Sequence, residues 1–144
     1  MLIEITQDTI DVQAALDYVR SPACGAVTLF EGNIRNTNDG EQVTRLEYEV
    51  YDALLHNVVA AMWQEARARW QLHELAVIQR RGMLQVGDTG IVICVSSAHR
   101  REALDALSYM IEEFKKRAPV WKREHTTNHQ KWINWTPQLS RKKG

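Results

Sequence analysis

The segment Phe114-Lys-Lys-Arg-Ala-Pro-Val-Trp-Lys-Arg-Glu124 constrains the fold of this chain more than any other. Ahead of it, Ala103, Leu107, Met110 and Phe114 recur at helical spacing with Leu104 and Ile111 beside them, so Arg101–Arg117 reads as a helix. Pro119 lacks an amide hydrogen and pushes the residue before it out of helical conformation, which ends that helix. Val120–Glu124 then extends again. Lys115 and Lys122 stand on opposite sides of this corner, where a turn brings both ammonium groups to one spot. Five cations, Lys115, Lys116, Arg117, Lys122 and Arg123, face a single carboxylate, Glu124. A solvated helix face usually mixes its signs, so such a cluster marks a place where something anionic is held.

The remaining sequence supplies a scaffold around that corner. Leu2–Thr6 alternates as a short strand, and Asp8 or Thr9 caps a helix to about Arg20 with Ile10, Ala14, Leu16 and Val19 apolar. Gly25–Asn33 reads as a buried strand, Asn36–Gly40 as a turn-rich loop, and Val43–Tyr51 as an alternating strand. Ala53–Trp70 is a long amphipathic helix, with Leu54, Leu55, Val58, Val59, Met62, Ala66 and Trp70 on its apolar side. Leu75–Arg80 and Thr89–Ser96 are strands, and Lys131–Trp135 adds a last short one. The order indicates an α+β fold with a mixed, largely antiparallel sheet and two long helices. No repeat, low-complexity tract or Pro/Gly linker interrupts it. Residues 1–136 therefore read as one domain and 137–144 as a disordered tail.

With 144 residues, 44% of them hydrophobic, the chain is long enough to bury a core without staples. The formal net charge is zero, yet residues 1–80 carry 12 acids and 6 bases and residues 81–144 carry 6 acids and 12 bases. Either the two halves neutralise each other in the fold, or the basic half meets an anionic partner. The longest apolar runs, Val58–Trp63 and Ile91–Val95, are too short to cross a bilayer. The N-terminus has neither a basic region nor a cleavage site, so a cytoplasmic location is expected. Cys24 and Cys94 lie in strand-like apolar stretches without metal or redox spacing, which suits reduced, buried thiols.

Several side chains bear on chemistry. Lys116 and Arg117 have Glu112 and Glu113 four residues before them, so local pairing accounts for both. Lys115 follows Ile111 at the edge of the apolar stripe. It is either a partly desolvated, reactive amine or a snorkelling side chain covering apolar surface. Ser97 is a candidate N-cap for the last helix, and His99, Arg100 and Arg101 put cations in its first turn, against the helix dipole. They make sense beside an anion, or as exposed side chains indifferent to the dipole. Arg35 ends a strand before a polar loop, where an arginine clamps phosphate. His125 and His129 share helical metal spacing, but Thr126-Thr127-Asn128 between them argues for a loop, and no metal is expected. No GxGxxG, P-loop, GxSxG or paired-carboxylate pattern occurs, and no cofactor is expected.

Taken together, Gly25-Ala-Val-Thr-Leu-Phe-Glu-Gly-Asn-Ile-Arg-Asn36, Leu46-Glu-Tyr-Glu-Val-Tyr51, Arg81-Gly-Met-Leu-Gln-Val-Gly-Asp88, Val95-Ser-Ser-Ala-His-Arg100 and Lys115–Glu124 resemble the large, catalytic subunit of molybdopterin synthase. The resemblance implies an α/β-hammerhead fold and a homodimer within a heterotetramer. It also implies a small ubiquitin-like sulfur carrier whose C-terminal glycine thiocarboxylate enters the site. The implied reaction converts cyclic pyranopterin monophosphate (precursor Z) into molybdopterin by two sulfur transfers. Lys115 and Lys122 match the family's catalytic lysines, and Arg35 its phosphate-side arginine. His99 and Arg100 match residues that reach the site across the dimer interface, and Phe30 one at the site's edge. Sulfur would arrive on the carrier, so neither cysteine need be reactive. The chain ends Lys142-Lys143-Gly144 without a di-glycine, so the carrier is expected to be a separate polypeptide. The alternative is a non-catalytic phosphate- or RNA-binding α+β module. The basic residues, however, lack the aromatic stacking platform of RNA-binding sheets.

Overall fold

The two most continuously apolar strands lie side by side at the centre of the molecule. A computed structural model describes residues 1–126 and 130–134; His129, Trp135 and the expected tail at 137–144 lie outside the described residues. Its elements run β1 (Leu2–Thr6), α1 (Val12–Val19), β2 (Ala26–Asn33), β3 (Thr37–Asn38), β4 (Glu41–Val50) and α2 (Asp52–Arg69). They continue with β5 (Glu74–Arg80), β6 (Gly82–Gln85), β7 (Thr89–Ser97), α3 (Arg100–Arg117), β8 (Val120–Thr126) and β9 (Gln130–Asn134). The fold is α+β with the two long helices expected, each of 18 residues.

One sheet has the order β1-β5-β7-β2, in which β1 joins β5 in parallel and the other pairs are antiparallel. Both of its faces are covered. Leu75, Val77, Ile91, Ile93 and Val95 point to the core formed with α2 and α3, while Ala76, Ile78, Val92 and Cys94 point to a smaller core under α1. Burial on both faces is why β5 and β7 read as unbroken apolar runs. In the second sheet β4 is flanked by β6 and β8, β3 pairs with β4, and β9 pairs with β8, all antiparallel. Here only one face is covered: Leu46, Tyr48 and Val50 turn inward, whereas Arg45 and Glu49 are exposed.

Several boundaries and faces differ from the sequence expectation. The cap of α1 is Asp11, whose Oδ1 accepts from the Ala14 amide at 3.0 Å; Ile10 is already buried ahead of the helix. That phase puts Ala15 in the core and leaves Ala14 exposed. The stretch Asn36–Gly40 is a tight hairpin and not an open loop. Asp39 (φ 52°) and Gly40 (φ 76°) form its two-residue turn, and Asn38 pairs with Glu41 across it. Asp-Gly suits such a turn because both central residues need positive φ. β6 was not anticipated, since only Leu84 of its four residues is buried and its partner lies far away in β4. On α2, Trp63 is buried and Leu54 exposed; on α3, Ala106 is buried and Leu104 exposed. Ser97 belongs to β7 and donates to the His99 carbonyl, so it does not cap α3. His99 takes the cap position without a side-chain bond.

Candidate active site

The corner expected from the sequence is present, and it is tight. α3 closes with the Ala118 amide donating to the Phe114 carbonyl at 2.9 Å, and the Val120 amide donates to the Ala118 carbonyl at 2.9 Å. The Pro119 carbonyl accepts from the Tyr51 amide at 3.2 Å, pinning the corner to the start of α2. Ala118, Pro119 and Val120 are all buried. The chain therefore passes from the last turn of α3 into β8 with no slack.

This geometry sorts the five cations. Arg117 lies between Glu65 of α2 (2.7 Å) and Glu113 of its own helix (3.2 Å), which together raise its pKa. Lys116 reaches Glu113 at 3.5 Å, one position from the Glu112 expected. Arg123 turns to the outer face of β8 and holds Glu47 at 2.5 Å. The Arg117–Glu65, Arg123–Glu47 and Arg81–Asp52 bridges tie bases of the C-terminal half to acids of the N-terminal half. Part of the charge asymmetry is thus mutual neutralisation.

Lys115 and Lys122 behave differently. Both line an open cleft of about 680 Å³, together with Phe30, Glu31, Gly32, Asn33, Arg35 and Tyr48. The end of β2 supplies one wall, the inner face of β4 and β8 another, and the last turn of α3 brings in Lys115. Four of the six residues picked from the sequence, Phe30, Arg35, Lys115 and Lys122, therefore meet here. The desolvated amine is Lys122, not Lys115, because Lys115 leaves the helix on its exposed side. Burial lowers the pKa of Lys122. Glu124 opposes that shift, and the nearby charges of Arg35 and Lys115 add to it. Glu124 is itself buried and accepts from Asn38 Nδ2 of the β3–β4 hairpin at 2.8 Å.

His99 and Arg100 are not in this cleft. They line a separate hollow of about 480 Å³ with Gly25, Ala98 and Arg101, at the opposite end of α3. Fifteen residues separate Arg100 from Lys115 on that helix, about 22 Å at 1.5 Å per residue. Within one chain the two groups cannot hold the same small ligand.

The sequence reading missed Glu31, Gly32, Asn33 and Tyr48 of the cleft. Tyr48 falls on the inward phase of an alternating strand and so reads as core. Glu31 and Asn33 carry no motif; Thr89 Oγ1 lies 3.0 Å from Glu31 Oε1 and 2.8 Å from Asn33 Oδ1. Among the described residues no group of three or more His, Cys, Asp or Glu is placed to hold a metal ion. Both cysteines are free thiols, and burial pushes Cys94 up to about 11. No helix among the described residues is long and apolar enough to cross a membrane.

Fold and cleft together define an α+β domain with an open cleft that brings two lysines and an arginine together, one lysine desolvated by burial. The sequence profile of the MoaE protein family matches residues 5–117. The chain is 38% identical over 133 residues to the molybdopterin synthase catalytic subunit of Arabidopsis thaliana, spanning 91% of this chain and 67% of that protein. The solved molybdopterin synthase from Staphylococcus aureus superposes with a TM-score of 0.86 at 31% identity, covering 91% of this chain and 96% of that one. A complex of subunits 1 and 2 of molybdopterin-converting factor from Helicobacter pylori shares the fold, with a TM-score of 0.76 at 23% identity over 91% of this chain and 89% of that one. The chain belongs to the MoaE protein family.

Proposed function

We infer that this chain is the catalytic subunit of a molybdopterin synthase, a sulfurtransferase of molybdenum cofactor biosynthesis. Its donor is the C-terminal thiocarboxylate of a separate, small ubiquitin-like carrier, and its acceptor is precursor Z. The observation that carries this reading is the meeting of Lys115, Lys122 and Arg35 in one cleft beside a buried carboxylate. Both ligands are anions, a cyclic phosphate ester and a thiocarboxylate, and a cationic cleft collects both.

Lys115, at the exposed lip, meets the incoming thiocarboxylate, where its amine serves as acid/base or attacks the acyl carbon. Lys122 and Arg35, toward the strands, hold the phosphate. Once the sulfur bonds to precursor Z, water attacks the carrier's acyl carbon, breaks its C–S bond and leaves a carboxylate; the cyclic phosphate also opens, so negative charge develops where these cations stand. The depressed pKa of Lys122 gives it a larger neutral fraction than an ordinary lysine, and so a share in proton transfer. Phe30 supplies an apolar edge to the same cleft.

His99 and Arg100, about 22 Å away on the same helix, complete the cleft of a second copy in a homodimer. A carrier bound to each copy makes a heterotetramer, in keeping with the two-subunit complex solved for the Helicobacter pylori relative. The free cysteines suit a reaction whose sulfur arrives on a partner, and a cytoplasmic setting suits free cysteines. Incubating the folded chain with thiocarboxylated carrier and precursor Z should yield molybdopterin. Active carrier and intact precursor without product would overturn the reading.

A further inference from the structure

We propose that Tyr48 is a substrate-contacting residue of this cleft, its phenol hydroxyl donating a hydrogen bond to the anion held by Lys115, Lys122 and Arg35. The proposal rests on the sulfur-transfer reading of the site and adds to it a neutral donor among the cations.

Three observations on position support it. Tyr48 sits opposite Lys122 in the β4–β8 register, on the same inward face. Directly opposed side chains in antiparallel strands start about 5 Å apart. Tyr48 is also one of the residues lining the cleft, although only 5% of its surface is exposed. Its ring tip reaches β7 at Gly90, where an added Cβ would lie 2.8 Å from Cε2 and 3.0 Å from the hydroxyl oxygen. Gly90 adjoins Thr89, the register partner of Asn33 at the bulge that ends β2. The phenol therefore spans from the lysine wall to β7 beside the end of β2. A lysine reaches a ligand on a flexible four-carbon stem, whereas this O–H is aimed by a rigid ring in a fixed slot.

The surrounding charges keep the phenol protonated. Burial raises its pKa, and the carboxylate of Glu124, two residues beyond Lys122 on the same face, raises it further. Held above its ordinary range, Tyr48 remains a neutral donor. The two lysines neutralise an anion but direct it loosely. A fixed neutral donor adds direction toward the oxygen on which charge develops.

The test is Tyr48→Phe, which keeps the ring over Gly90 and removes only the hydroxyl. In a molybdopterin assay with thiocarboxylated carrier and precursor Z, the folded variant should lose about tenfold or more in kcat. Its carrier affinity and thermal midpoint should stay at wild-type values. Its pH–rate profile should keep the wild-type shape at lower height. Unchanged kcat would overturn the proposal. So would an alkaline limb displaced at unchanged height, because Tyr48 would then act only through Lys122. If Tyr48→Phe does not fold, a fluorinated tyrosine at position 48, whose phenol ionises at lower pH, replaces it. That protein should show a new loss of activity on the alkaline side, and its absence would overturn the proposal. Wild-type protein run in parallel separates the two readings: no product from wild type refutes sulfur transfer itself.

Discussion

The two sheets handle burial in opposite ways. In β5, Leu75 to Gln79 are buried without interruption, and in β7 so is every residue from Gly90 to Ser97, because helices cover both faces. In β4 burial alternates, and β8 turns Lys122 and Glu124 inward while Arg123 looks outward to Glu47. A sheet covered on both sides has no free face on which to place a reactive group. A sheet covered on one side can open its inner face where its neighbour ends. The cleft lies at that seam, with the last residues of β2 against the middle of β4 and β8.

This contrast is sharpest under substitution. Trp63→Ala, deep between α2 and the sheets, should cost about 3–5 kcal/mol of stability by denaturant unfolding. A loss below about 1 kcal/mol would mean that the core around α2 repacks freely. Lys115→Ala should do the reverse. Its exposed position predicts a stability change within about 0.5 kcal/mol, with activity lower on the order of 10²-fold. A folded variant turning over normally would remove Lys115 from the chemistry.

Mixing Lys115→Ala with Arg100→Ala subunits probes the two ends of α3. If Arg100 serves the neighbouring copy, random pairing of the inactive variants should restore about a quarter of wild-type activity, since half the dimers carry one intact cleft. Subunit exchange without recovery would confine Arg100 to its own chain or to no site. Arg35→Ala and Lys122→Ala should each weaken precursor binding by about tenfold and carrier binding far less, as separate titrations would show. Equal losses for both ligands would move these residues to the thiocarboxylate side.

The smallest effect concerns pH. Lys122 has a lowered pKa in the folded chain, so between that value and the ordinary lysine value near about 10.4 the unfolded chain binds more protons. Stability contributed by this group therefore rises with pH through that window. Lys122→Met should flatten the rise in urea midpoint toward about pH 10. An identical rise in both proteins would show that Lys122 is not desolvated enough to matter.

The central strands and both long helices were legible because their signals are local: continuous apolar runs, a 3.6-residue period and a proline. The β3–β4 hairpin was also encoded locally, in Asp39-Gly40, but its flanking strands are too short to alternate visibly. β6 exists only through its pairing with β4, which no local pattern reveals. For the cleft, the cations were legible as an excess of one charge, and the family motifs named four residues that line it. Its wall was not. Strand alternation tells which residues share a face but not what stands opposite, so nothing singled out Tyr48, Glu31 or Asn33. The same limit led to the desolvated lysine being sought on α3, when the depth of the cleft assigns that state to Lys122.

The corner at Ala118 and Pro119 also bears on how chains of this kind can change in length. Side chains of a strand alternate between faces, so one residue gained or lost there and carried into β8 would turn Lys122 outward and bring Trp121 or Arg123 in. Both corner residues are buried, and their backbone groups are engaged by Phe114, Val120 and Tyr51, leaving no loop to absorb the change. The Asp39-Gly40 turn has no such constraint, with nothing within 4 Å of a Cβ added at Gly40. Insertions and deletions should therefore accumulate at the hairpin tip, while the seven-residue interval from Lys115 to Lys122 stays fixed in length even where its sequence drifts.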